Sequence, residues 1–179
     1  MNPLTEWQNF YVIVGSAAGG LTGLQFVVMA LIADMPAMEQ ESKAVAAFST
    51  PSIVNFSVVL ALAAVEVMPW HSLAPIAIVW ASAAALGILY TIITAWRFKT
   101  QGAYNPVFED WFYRIVLPIL AYSALADAAF ITRRHPTDAL FEVAAVTLLL
   151  LFVGIHDAWD NATYLVFVKR GEVDPKNPQ

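Results

Sequence analysis

The chain has no cysteine, which removes disulfides, thiolate metal sites and cysteine nucleophiles from consideration together. Charge is scarce as well: Asp, Glu, Lys and Arg make up 13% of the 179 residues, and no basic run suits a nucleic acid. No Lys or Arg precedes the first apolar segment, so the charged n-region of a cleavable signal is missing and that segment is expected to persist as a span. Also missing are a phosphate-cradling loop, a zinc-protease HExxH pair and a GxSxG nucleophile elbow. The glycines of GSAAGG (residues 15–20) have neither the Lys nor the strand context of a nucleotide site. No loop between apolar segments is long enough to fold separately, which excludes an attached soluble enzyme domain.

Apolar sequence is what remains. Hydrophobic residues account for 59% of the chain and the mean hydropathy is +0.64, too little polar surface to coat a soluble globule. The expected class is an all-α, polytopic integral membrane protein. A bilayer core about 30 Å thick needs roughly 20 apolar helical residues. Five segments approach that length: 7–32, 51–68, 73–98, 108–131 and 139–168, within a single domain 1–170 followed by a flexible cytoplasmic tail 171–179. Pro51 suits a helix's first position after Ser49 or Thr50, although 44–48 can extend that helix through a kink, and Pro118 predicts a kink in the fourth span.

Orientation follows from the basic residues. With the N-terminus outside, Lys43, Arg97, Lys99, Arg114, Lys169, Arg170 and Lys176 fall on the cytoplasmic side, leaving Arg133 and Arg134 outside. The expected arrangement is therefore N-out, C-in, in a prokaryotic cytoplasmic (inner) membrane.

Polar residues inside spans are costly and mark the places where function is sought. In span one Gly15, Gly19 and Gly23 form one helical row, with Ser16 and Gly20 beside it; such a glycine zipper lets backbones approach closely. It serves packing within the chain or a subunit contact. Span two places Ser52, Asn55 and Glu66 on one face, and with Gln25 these are the candidates for a conducting path. Span five carries the densest stripe, His156, Asp157, Asp160 and Asn161, recurring at spacings of three and four. With Arg97 or Arg114 this stripe forms a gate or an ion pair. The thirty residues 139–168 measure about 45 Å, which sets the stripe in the cytoplasmic half. Glu66, Asp127 and Glu142 fall toward the outside, where an acidic vestibule attracts cations.

These readings converge on a small homo-oligomeric channel or pore-like permease for cations, without metal or cofactor, whose environment is the lipid bilayer. Two rivals stand beside it. One is a non-catalytic accessory or scaffold subunit docking its glycine face on a larger membrane protein; the other is a membrane enzyme using His156 with Asp157 or Asp160.

Overall fold

The computed structural model describes residues 3–33, 42–100 and 111–172, with side chains placed over 4–30, 51–97 and 111–163. Every described element is helical. A 3-10 turn (Pro3–Trp7) leads into α1 (Gln8–Ala33); α2 (Ser42–Glu66) and α3 (Leu73–Thr100) follow; a π-helical turn (Phe112–Val116) runs into α4 (Leu117–Ile131); and α5 (Pro136–Glu172) closes the chain.

Four stretches are long and apolar enough to cross a membrane: Leu4–Ala30, Ala74–Arg97, Phe112–Ile131 and Pro136–Thr163. In α2 the apolar part is shorter, Pro51–Glu66. The outer surface agrees with a lipid environment, since Ile13, Ile78, Leu86, Phe130, Phe141 and Trp159 are all exposed, Phe130 by 85%. A water-soluble protein rarely shows so continuous an apolar coat. The chain is an all-α integral membrane protein.

Two element ends differ from the sequence expectation. Helix α2 does not start at Pro51 but at Ser42, carrying the proline inside it. A proline there costs one backbone hydrogen bond and bends the helix without ending it when neighbours hold both halves. Helix α5 runs unbroken to Glu172, past the polar stripe, so residues 171 and 172 belong to the helix rather than to the tail. Residues 108–110 of the fourth expected span and 173–179 of the tail lie outside the described residues. At the disturbance expected near Pro118 the helix widens into a π turn just before the proline. Pro118 has no N–H to give the carbonyl of Arg114, and the Leu117 N–H bonds instead to the Phe112 carbonyl, five residues back.

Packing does not follow chain order. Helix α1 lies on α2, α2 on α5, α5 on α4 and α4 on α3, whereas α2 and α3 touch only slightly although a short turn joins them. That turn, with Trp70 donating its indole N–H to the Val65 carbonyl at 2.7 Å, and the α4–α5 turn sit at the same end of the bundle, called the turn end below. His135 offers its carbonyl to the Ala139 N–H, and Pro136 takes the first helical position, where its missing N–H costs nothing.

Close approach fixes the central contacts. Gly154 of α5 faces the Phe56 ring so tightly that a Cβ there would stand 2.6 Å from Cε1, and Gly87 of α3 lies flat against the Tyr122 ring with no room for a side chain. The buried centre is built from Trp80, Tyr11, Tyr122, Phe56 and Leu150. At the turn end Trp7 meets Phe141 edge to face, 4.7 Å between centroids, fastening the N-terminal turn to α5.

Candidate functional site

At the end of the bundle away from the turns, α2, α3, α4 and α5 bring polar side chains into the interior. Arg114 stands in the π turn with Nε 3.7 Å from Asp157 Oδ1, the two side chains only 6% and 1% exposed. Asn55, Tyr90, Thr94 and both prolines, Pro51 and Pro118, line a cavity of about 10 Å³ beside this pair. That is the space of one water at most. Ser52 is buried and accepts a hydrogen bond from Asn161 Nδ2 at 3.4 Å, tying α2 to α5. Gln25, on α1 at the same end, is buried too.

His156 lies at the rim of this cluster. Its ring stacks on Tyr113 with centroids 3.6 Å apart and planes within 6°, and Nδ1 is 3.4 Å from Asp160 Oδ2. Asp160 is half exposed. The expected stripe is therefore split by the helix's rotation: Asp157 points into the bundle, His156 and Asn161 edge it, and Asp160 faces out. Arg97 is exposed, and Arg114 pairs with Asp157 of the stripe.

A second polar site occupies the turn end. Glu66, 1% exposed, accepts a hydrogen bond from Trp80 Nε1 at 2.5 Å, while its other oxygen has no hydrogen-bond partner among the described residues. The Tyr11 hydroxyl, equally buried, also lacks one among the described residues and lies within electrostatic range of that carboxylate. Glu66 thus sits inside the bundle rather than at a mouth. Asp127 is exposed on α4 and neighbours Glu142 of α5, so the three carboxylates expected at one vestibule divide into an interior group and an outer pair.

Between the two sites the face of α2 is apolar. Val59 and Leu62 are buried, and the eleven steps of rise from Asn55 to Glu66 separate the polar groups by about 16 Å of helix. The threonines do not bridge this gap: Thr22, Thr91, Thr94 and Thr147 each return their hydroxyl to the carbonyl four residues back.

The glycine rows of α1 have two fates. Gly15 meets Ala63 of α2, with 2.9 Å left for a Cβ, and Gly19 approaches Leu60; among the described residues nothing stands within 4 Å of a Cβ on Gly20 or Gly23. Among the described residues no three His, Asp or Glu side chains converge in a metal-holding group.

Sequence reasoning named Ser52, Asn55, Glu66, Arg114 and Asp157 but missed Trp80 and Tyr113, the partners of Glu66 and His156. Both look like ordinary span aromatics in the sequence, and only the Trp80 indole N–H, which needs an acceptor when buried, carries a signal. Comparison with protein-family models, with curated proteins and with solved structures finds no match.

Proposed function

We propose that this protein is a small cation permease of a cytoplasmic membrane, with five spans, N-out and C-in, and that the proton is the cation it suits best. One observation carries the reading: Arg114 and Asp157 are held inside an apolar bundle beside a one-water cavity, where ionisable groups are expensive and serve ion or proton paths. The path runs through the protomer, since Ser52, Asn55 and Glu66 all face the interior. His156 and Asp160 form its entrance at the cytoplasmic end, Arg114 and Asp157 the inner station, and Glu66 with Tyr11 the outer one. Val59 and Leu62 between them act as a dry constriction that conducts only when wetted. A cavity this small admits no hydrated metal cation, which is why the proton is preferred.

The open row of Ser16, Gly20 and Gly23 supports a contact with a second copy. The same row equally favours the accessory reading, in which a larger membrane protein covers it. Copurification separates the two, because an oligomer of this chain alone speaks for the permease.

The direct test is proton flux into dye-loaded liposomes holding only the purified protein. Asp157→Asn is expected to lower flux at least tenfold, and Leu62→Ser to raise it by wetting the constriction. No flux under any imposed pH gradient or voltage refutes the proposal.

A further inference from the structure

Helix α3 packs along α4, and between them a groove of about 950 Å³ opens on the outer side of the bundle. Its floor is made of methyl groups, those of Ala74, Ala77, Ala81 and Ala85 of α3 and of Ala126 and Ala129 of α4. Ile78 and Phe130, 69% and 85% exposed, stand up beside this floor. From Ala74 to Ala85 are eleven steps of rise, about 16 Å, which matches one leaflet's share of a hydrocarbon core about 30 Å thick.

The turn end of the groove is charged. Arg133 lines it, exposed and two residues past the apolar stretch Phe112–Ile131. Trp7 and Trp70 occupy the same end of the bundle, as aromatic side chains at headgroup depth do. The walls of the groove hold no Asp or Glu. Carboxylates on α2, α4 and α5 at this end are engaged elsewhere: Glu66 on Trp80 in the interior, Asp127 beside Glu142, and Asp138 3.6 Å from His135. Among the described residues Arg133 has no ion-pair partner, and the next residue, Arg134, is a second exposed guanidinium.

We infer that the α3–α4 groove binds an anionic phospholipid of the surrounding bilayer, one acyl chain along the alanines and its phosphate on Arg133. A guanidinium presents paired N–H donors that match phosphate oxygens, and it stands here where a chain lying in the groove would bring them. A zwitterionic lipid adds an ammonium to a mouth that already has two guanidiniums and no acid, so the net anion is selected. A second copy of this chain, related by an axis along the membrane normal, would bring the two arginine mouths to the same depth and is disfavoured by their like charge. The inference stands apart from cation transport and survives if no flux is found.

The experiment uses the full chain in phosphatidylcholine nanodiscs doped with a photoactivatable lipid. The probes are phosphatidylglycerol and phosphatidylcholine carrying the same mid-chain diazirine, with labelled peptides mapped by mass. The anionic probe is expected to label α3 and α4 peptides around Ala81 and Ala129 about fivefold more than the zwitterionic one, the effect of one Arg on an anionic lipid. Arg133→Gln, at an exposed position, should bring the two probes close to equal while the groove stays open. Ala81→Phe, also at an exposed position, should abolish labelling there by both. Equal labelling in the unaltered protein, an undiminished excess in Arg133→Gln, or a disulfide joining two copies of Ala81→Cys in membranes overturns the inference.

Discussion

Removing either half of the Arg114–Asp157 pair should destabilise the fold far more than removing both. At 3.7 Å and an effective dielectric of 20, two unit charges attract by about 4.5 kcal/mol. The separation is too long for a charge-assisted hydrogen bond, which runs about 2.7–2.9 Å, so the coupling is mainly Coulombic. Asp157→Leu takes this partner from a buried guanidinium, and Arg114→Leu takes it from a buried carboxylate; each is expected to cost about 3–5 kcal/mol. The double variant replaces both by aliphatic side chains in an already aliphatic bundle and should fall within about 1–2 kcal/mol of the unaltered protein. Unfolding in mixed micelles, followed by tryptophan fluorescence as denaturing detergent is added, measures all four corners of the cycle. If the single changes add to the double within about 0.5 kcal/mol, the pair is not coupled and the far-end site is wrongly drawn.

Two further outcomes follow from the geometry. Gly154→Val should destabilise by about 1–3 kcal/mol, because its Cβ meets the Phe56 ring, whereas Gly20→Val should leave unfolding unchanged within about 0.5 kcal/mol and alter only self-association, read by cross-linking in membranes. Because the chain has no cysteine, a single introduced thiol reports its side of the membrane. His71→Cys should react with an impermeant maleimide from outside and Arg97→Cys only after permeabilisation; the opposite pattern overturns the N-out orientation.

The helices were legible in the sequence because length and hydropathy suffice for them: 73–98 was expected where Leu73–Thr100 is found. Rotation about each helix axis was not, for a physical reason. Lipid is as apolar as a protein core, so the buried and lipid-facing sides read alike. In α1, Val12 and Ile13 are exposed while Val14 is buried, and nothing in their chemistry distinguishes them. Polar residues break the degeneracy: Ser52 and Asn55, expected on an inward face of span two, are buried, and so is Asp157 of the span-five stripe. Glu66 was expected both on the path and at a mouth, and its burial against Trp80 was not foreseen, because Trp80 lies across a turn whose geometry no spacing rule conveys. The π turn escaped notice likewise, since Pro118 predicts a disturbance but not its form.

The mismatch between chain order and packing order bears on how the protein is made. Helix α2 and its turn-mate α3 are neighbours in synthesis and near strangers in space, and besides α1 the helix that α2 packs on most is the last one. Ser52 waits for Asn161, 109 residues later. At about 5–20 residues per second the ribosome needs roughly 5–20 s to supply it. Through that interval Ser52 and Asn55 have no α5 to shelter them. Something at the site of insertion, lipid, water or an assembly factor, must hold α2 until the final helix arrives.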